Sequence, residues 1–225
     1  MSEVEVEGRA NPLVVAIDGP AGSGKSTLAR RLALELDLPY VNTGLMYRAV
    51  TLEAIRQGVD PDDTEGLTRL AAGLRFDLDL DLRPPELRID GSPPDAGLMS
   101  PEVEETVSRV ARHPALRALL RDEQRRLGAG GAVMEGRDIG SVVFPDAPLR
   151  VLLGAGPGER AARRALERKG GETEVSAAIA ARDAEDERNV PPLEADLEVD
   201  STHLNPDEVL AIVLAEAHRR IGDLP

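Results

Sequence analysis

The sequence predicts an α/β fold in which helices flank a central parallel sheet. Short apolar runs alternate with amphipathic helical patterns along most of the 225 residues, which is the order expected of βαβ units. A glycine-rich turn separates the first apolar run from the first helix. The stretch at 76–89 alternates apolar and acidic residues, which indicates a small antiparallel pair inserted into this order.

Strands are predicted where apolar runs are too short to form a helix. Most of these runs are continuous, as in strands buried on both faces, whereas the pair at 76–82 and 87–89 has one polar face. Pro84 and Pro85 provide the turn between the two members of this pair. The predicted strands are 13–17, 39–42, 76–82, 87–89, 132–134, 150–153 and 197–199.

Helices are predicted from the spacing of apolar residues and from the residues that cap them. Leu28, Leu32 and Leu36 recur at the spacing of one helix face. Ser100 followed by Pro101 is typical of a helix start. The predicted helices are 25–37, 45–57, 100–112, 114–127, 157–169, 175–189 and 206–221.

The composition is that of an acidic chain, which excludes several classes of function. A formal charge of −14 disfavours binding to nucleic acid polymers and to anionic membranes. The absence of cysteine excludes disulfides and thiolate chemistry. The chain has no apolar run of about 18 residues, and its first residues lack the apolar core of a signal peptide. We therefore expect a cytoplasmic monomer, with a flexible acidic tail at 1–11 and a single domain at 12–225.

The strongest functional signal is the segment from Gly19 to Ser26, which matches the P-loop pattern G-x-x-x-x-G-K-[ST] between a strand and a helix. Backbone N–H groups of such a turn surround phosphate oxygens, and the helix N-terminus adds partial positive charge. Lys25, one of only two lysines, is at the position that reaches the β- and γ-phosphates. The Ser26 hydroxyl is at the position of a Mg²⁺ ligand. The motif therefore predicts a site for a nucleoside triphosphate with Mg²⁺.

The class of reaction follows from what accompanies this motif. The chain has no Asn-Lys pair, which a GTP-binding switch needs to read its base, and it is short for a large ATPase. A small kinase remains. Arg48 and Arg137 lie next to predicted strand ends and glycines, where ligands of open α/β sheets bind. Because guanidinium groups bind phosphate at two points, these arginines are candidate contacts to an anionic acceptor.

At these residues the chain resembles the bacterial cytidylate kinase family. The resemblance extends over about 12–221, and the segments that carry it occur in the order found in the family. They are IDGPAGSGKST (17–27), NTGLMYRAV (42–50), MSPEVEETVSRVARHPALR (99–117), EGRDIGSVVFPDAP (135–148), ERAARR (159–164), RDAED (182–186) and VDST (199–202).

The resemblance implies a kinase that transfers the γ-phosphoryl group of ATP to CMP or dCMP, with Mg²⁺ as cofactor. It implies a nucleoside-monophosphate-binding insert at about 67–110 and a helical lid at about 157–189. The implied catalytic residues are Lys25, Arg137 and Arg182. The implied metal-site residues are Asp18 and Ser26. The implied ATP contacts are Gly19, Pro20, Ala21, Gly22, Ser23, Gly24, Lys25, Ser26, Thr27, Arg160 and Arg164.

The resemblance also implies how CMP is held. Its phosphate would be bound near Thr43, Arg48, Arg137 and Arg188, although the spacing of two between Asp186 and Arg188 is one shorter than the family's usual spacing. Cytosine would be read by Ser108, Arg117 and Asp138. The implied CMP contacts are Thr43, Tyr47, Arg48, Ser108, Arg117, Arg137, Asp138, Arg182, Asp186 and Arg188.

Two alternatives stay open from the sequence. One is another small-molecule P-loop kinase, acting on UMP, shikimate or dephospho-coenzyme A. The other is a nucleotide-binding regulator that transfers no phosphoryl group. Rates with different acceptors separate the first from a cytidylate kinase, and the absence of turnover with every monophosphate would indicate the second.

Overall fold

The computed structural model describes residues 12–167 and 190–222. Its strands are β1 (Val14–Asp18), β2 (Tyr40–Asn42), β3 (Phe76–Asp79), β4 (Glu86–Ile89), β5 (Ala132–Gly136), β6 (Leu149–Gly154) and β7 (Leu197–Asp200). Its helices are α1 (Lys25–Glu35), α2 (Thr43–Gln57), α3 (Thr64–Gly73), α4 (Pro101–Ala111), α5 (Pro114–Gly128), α6 (Pro157–Glu167) and α7 (Pro206–Ile221). A 3-10 turn at Ala96–Met99 and a π-helical turn at Ile139–Val143 complete the regular structure.

The described strands form one sheet in the order β3-β4-β2-β5-β1-β6-β7. All neighbours are parallel except β3 and β4, which pair antiparallel as predicted. This pair is continuous with the main sheet, because Tyr40 of β2 pairs with Glu86 of β4. The fold is therefore the predicted α/β class, with the antiparallel pair extending one edge of the parallel sheet.

Both faces of the sheet are covered by apolar side chains. Val15 and Ile17 of β1 pack with α1 and α7 in one core, whereas Ala16 packs with α2, α3 and α5 in another. Successive residues of a strand point to opposite faces, so these two cores lie on the two sides of the sheet. This two-sided burial explains why the parallel strands have continuous apolar sequences.

Helix caps fix several of the predicted boundaries. Helix α2 begins at Thr43, two residues before the predicted start, because the Asn42 side chain accepts from Leu45 N. Ser100 caps α4 as predicted. The side chain of Asn205 caps α7 and forms a complete capping box with Glu208.

Other elements differ from the sequence-based prediction. Helix α3 was not predicted, although Asp63 caps it by accepting from Gly66 N. Strand β3 ends at Asp79, before the predicted end at residue 82. Strand β5 continues to Gly136, two residues beyond the predicted end.

Some predictions fall on residues outside those the structure describes. These are the tail at 1–11, the second lid helix at 175–189, and the side chains of Arg164, Arg182, Asp186 and Arg188. Among the described helices, none combines the length and the apolar character that crossing a membrane would require.

Candidate active site

A cleft opens where the parallel strands end. It is lined by the turn after β1, the start of α2, one face of α4 and the last residues of β5. The carboxyl ends of adjacent parallel strands meet at this edge, which is where α/β proteins bind ligands. The cleft thus brings together four segments from different parts of the sequence.

The P-loop forms one end of the cleft with its backbone tightly enclosed. A Cβ atom on Gly19 would lie 2.1 Å from the carbonyl oxygen of Leu153, so no other residue fits at this point. Gly24, at φ 93°, occupies the left-handed region and leads directly into α1. Lys25 and Ser26 both line the cleft, and Lys25 Nζ donates to Pro20 O at 2.8 Å. The local geometry is that of a phosphate-binding turn followed by a helix N-terminus.

Helix α6 holds the P-loop from outside the cleft. Arg160, predicted to contact ATP, is buried and donates to Ala21 O at 3.4 Å and to Ala155 O at 3.1 Å. Arg163, to which the sequence analysis assigned no contact, donates to Ser23 O at 3.4 Å and to Ser201 Oγ at 3.0 Å. Both guanidinium groups therefore stabilise P-loop carbonyls in this structure, and neither residue lines the cleft.

The buried carboxylate of Glu135 is linked through Tyr40 to Ser26, whose hydroxyl is predicted to bind metal. Glu135 lines the cleft at the end of β5 and accepts from the Tyr40 hydroxyl at 2.6 Å. Tyr40 in turn lies beside Ser26. Burial, followed by the Glu135 charge, raises the pKa of Tyr40, so the phenol stays protonated and remains a donor. Carboxylate and hydroxyl oxygens are ligands that suit Mg²⁺, so Ser26 and Glu135 fit this ion.

Asp18, predicted at the metal site, has a different position. It is 1% exposed, and its two oxygens accept from Ile139 N and Gly140 N, each at 2.8 Å. It is not among the residues that line the cleft. In this structure Asp18 therefore fixes the turn after β5, and Glu135 is the carboxylate linked to Ser26 through the Tyr40 hydroxyl.

The ionisation of Asp18 gives a testable pH dependence of stability. Burial raises its pKa to about 6, against the lowering effect of the two backbone N–H groups. Because this pKa is above that of the unfolded chain, the stabilising contribution is complete below about pH 4 and is lost as the pH rises through 6. We expect the unfolding free energy of the wild type, minus that of Asp18→Asn, to fall by up to about 1.4 kcal/mol per pH unit in this window.

Urea unfolding of both proteins at intervals from pH 4 to pH 7 measures this difference. Asp196→Asn is the matched control. Burial acts to raise the pKa of Asp196, but hydrogen bonds from Arg150 outweigh it and the pKa is lowered. Its difference from wild type should therefore stay level between pH 5 and pH 7. A level difference for Asp18→Asn as well would show that Asp18 does not titrate as described.

The acceptor side of the cleft contains Thr43 and Arg48, two of the predicted phosphate ligands. Thr43 Oγ1 donates to Glu135 O at 2.8 Å, which ties the start of α2 to the end of β5. Arg48 is buried, donates to Leu98 O at 2.9 Å and forms an ion pair with Glu104. An incoming phosphate would therefore compete with the Glu104 carboxylate for this guanidinium.

The opposite wall holds the residues predicted to read the base. Asp138 is 4% exposed and accepts from Arg117 Nη2 at 2.6 Å and from Arg121 Nη2 at 2.7 Å. Ser108 and Tyr47 line the same cleft. Burial raises the pKa of Tyr47 to about 12, so its hydroxyl is protonated at neutral pH. The structure thus brings together the three residues predicted to read the base and the predicted CMP contact Tyr47, and it adds Arg121, which the sequence analysis did not identify.

The cleft is locally positive although the chain is acidic. Among the described residues that line it, five side chains are cationic and two are acidic. The cationic residues are Lys25, Arg48, Arg112, Arg117 and Arg137. The acidic residues are Glu135 and Asp138. This balance supports the expected positive site for two anionic nucleotides within a chain of net charge −14.

A P-loop that opens into a cationic cleft, at the end of a parallel sheet covered by helices, defines a small nucleotide kinase. The comparisons with known proteins specify which kind. The family model described as cytidylate kinase matches residues 15–219. The chain belongs to this cytidylate kinase family, and its membership supports phosphoryl transfer to CMP or dCMP.

Relatives include both single and fused enzymes. A cytidylate kinase from Roseiflexus castenholzii is 40% identical over 94% of this chain and 96% of its own length. One from Thermus thermophilus is 41% identical over 92% of this chain and 99% of its own length. A bifunctional pantoate ligase/cytidylate kinase from Synechococcus sp. (strain CC9311) is 44% identical over 93% of this chain. The match spans only 45% of that longer protein.

Proposed function

We propose that the chain transfers the γ-phosphoryl group of ATP to CMP or dCMP, with ATP at the P-loop and the acceptor between Arg48 and Asp138. The observation that carries this proposal is the shared lining of the cleft. The phosphate-binding end at Lys25 and the base-reading end at Asp138 and Arg117 belong to one continuous cavity. Two nucleotides bound there would meet with their phosphates facing each other.

Transfer to a phosphate acceptor needs no general base, because the attacking oxygen is already anionic. Catalysis then depends on alignment and on neutralising the charge shared by the two phosphates. Lys25 would bind the β- and γ-phosphates, as its position in the P-loop motif predicts, and Arg137 would act from the acceptor side at the end of β5, where it lines the cleft. Arg182 keeps its proposed catalytic role from the family resemblance and lies outside the described residues.

Mg²⁺ would be held by the Ser26 hydroxyl and by Glu135, and when bound it supplies positive charge to the ATP phosphates. The Tyr40 hydroxyl holds one oxygen of Glu135 at 2.6 Å and so orients the carboxylate. Asn42 donates to the Tyr40 hydroxyl at 3.2 Å and extends this support. These residues would keep the carboxylate in one position while nucleotides enter and leave.

Cytosine would be selected by its exocyclic amine, which donates, and by its O2 and N3, which accept. The Asp138 carboxylate is an acceptor for the amine, while Arg117 and Ser108 are donors for the ring acceptors. Uracil has a carbonyl oxygen in place of the amine. This oxygen would face the Asp138 carboxylate, where two acceptors repel each other and form no hydrogen bond. With UMP bound, the Asp138 carboxylate would lack the donor that cytosine provides. The site should therefore favour CMP over UMP by the free-energy cost of leaving this buried polar group unpaired.

Initial rates with ATP and Mg²⁺ across acceptors test the proposal. We expect turnover of CMP and dCMP, with kcat/KM for UMP lower by at least about tenfold and AMP inactive. A coupled assay of ADP release, run at several concentrations of each acceptor, measures these values. Equal turnover of all four acceptors would contradict the base-reading role, and absence of turnover with any of them would contradict the kinase function.

A further inference from the structure

Two guanidinium groups converge on one oxygen of Asp138. Arg117 Nη2 reaches Oδ2 at 2.6 Å, Arg121 Nη2 reaches it at 2.7 Å, and Arg121 Nε reaches it at 3.2 Å. Within the described part of the chain, no hydrogen bond reaches Oδ1. Oδ1 is therefore the oxygen of Asp138 that can accept a hydrogen bond from a nucleotide in the cleft.

The two arginines lie on one face of α5 but differ in their relation to the cleft. They are four residues apart, which places their side chains next to each other. Arg117 lines the cleft and also donates to Ala111 O at 3.1 Å. Arg121 is not among the lining residues, and both of its hydrogen bonds within the described structure go to Asp138. The hydrogen bonds of Arg121 therefore reach the wall of the cleft through Asp138.

We propose that Arg121 is a positioning residue for base selection, which holds Asp138 in place so that Arg117 is available to the nucleotide. The proposal rests on the function proposed above. With only Arg117 present, one guanidinium would have to neutralise a buried carboxylate and donate to the base at the same time. With Arg121 present, Asp138 still accepts hydrogen bonds from one guanidinium when some of the Arg117 N–H groups donate to cytosine.

The charges around Asp138 support the need for two cations. The Asp138 side chain is 6% exposed, with Arg117 at 12% and Arg121 at 22%. Asp18 lies close enough for the two carboxylates to repel each other. A buried carboxylate near a second acid needs compensating charge to keep one conformation. The second guanidinium supplies this charge from outside the cleft, where it does not occupy space that the nucleotide needs.

Steady-state kinetics of Arg121→Leu and Arg121→Lys test the proposal, with Arg69→Leu, an exposed arginine of α3, as the matched control. We expect Arg121→Leu to raise KM for CMP about tenfold, because Asp138 loses the charge-assisted hydrogen bonds from Arg121 that hold it. The competitive inhibition constant of UMP, kcat and KM for ATP should change less than about twofold. Arg121→Lys should recover part of the loss, and Arg69→Leu should match the wild type.

The double variant Arg121→Leu/Asp138→Ala separates positioning from a general structural role. If Arg121 acts through Asp138, adding Arg121→Leu to Asp138→Ala should raise KM for CMP no further. An additive rise, or an equal loss for CMP, UMP and ATP, would overturn the proposal, as would an unchanged KM for CMP in Arg121→Leu.

Asp138→Ala alone distinguishes failure of this inference from failure of the proposed function. If Asp138→Ala leaves the preference for CMP over UMP unchanged, Asp138 does not recognise the base, and the positioning role of Arg121 is overturned as well. If Asp138→Ala removes the preference while Arg121→Leu preserves it, the proposed function stands and only the role of Arg121 is overturned.

Discussion

Replacing Lys25 with alanine is expected to lower kcat by about 10²–10³ while the protein stays folded. The Lys25 ammonium lines the cleft at the N-terminus of α1, the position that reaches the β- and γ-phosphates. As negative charge builds on the transferred group, this contact strengthens, so its loss affects the transition state more than ATP binding. Quenched-flow or coupled assays at saturating ATP and CMP measure kcat directly.

Arg30→Ala is the matched control for Lys25→Ala. Arg30 is also a cation of α1, but its side chain is 61% exposed and pairs with Glu86 on the surface. Its removal changes the net charge by the same amount without touching the cleft, so kcat should be unchanged. A Lys25→Ala variant with near-normal kcat would contradict the assignment of Lys25, provided that Arg30→Ala also behaves as the wild type.

Features set by short-range sequence signals were predicted well. The P-loop and the N-cap at Ser100 depend on residues within a few positions of each other. Continuous apolar runs identified the parallel strands because burial on both faces leaves no alternation. These local patterns were sufficient for the fold class and for one end of the cleft.

The strand register that sets the end of β5 was not predicted. Strand β5 extends past its apolar run because Glu135 and Gly136 pair with Ile17 and Asp18 of β1. This register, which involves residues more than 100 positions apart, brings Glu135 to the end of β5 beside the P-loop. A carboxylate at the end of a strand next to the P-loop strand would have been the only sequence signal for its role.

The contacts of Asp18 also involve residues that are distant in sequence. Its sequence position, directly before the P-loop, is compatible with a metal site, but the structure places it under the turn after β5. Helix α3 was missed for a local reason. Gly66 and Gly73 weaken its helical pattern, and the helix depends on the cap at Asp63 and on burial of Leu67.

Replacing Asp138 with alanine is expected to have the largest effect on use of the acceptor. Asp138 is buried in the base-reading wall, held by Arg117 and Arg121 at 2.6 and 2.7 Å. Its removal eliminates the acceptor for the cytosine amine and leaves two partly buried guanidinium groups without their carboxylate. We therefore expect kcat/KM for CMP to fall by about 10²-fold, with KM for ATP changed less than about twofold.

The central proposal is that one cleft holds ATP and CMP at separate ends, and that different residues recognise the two nucleotides. It is tested most directly by measuring kcat/KM for CMP and KM for ATP in Asp138→Ala, with the exposed Asp146→Ala as the matched control. A selective loss for CMP, with KM for ATP and the Asp146→Ala variant near wild-type values, is the predicted result. An equal loss for CMP and ATP in Asp138→Ala would contradict it.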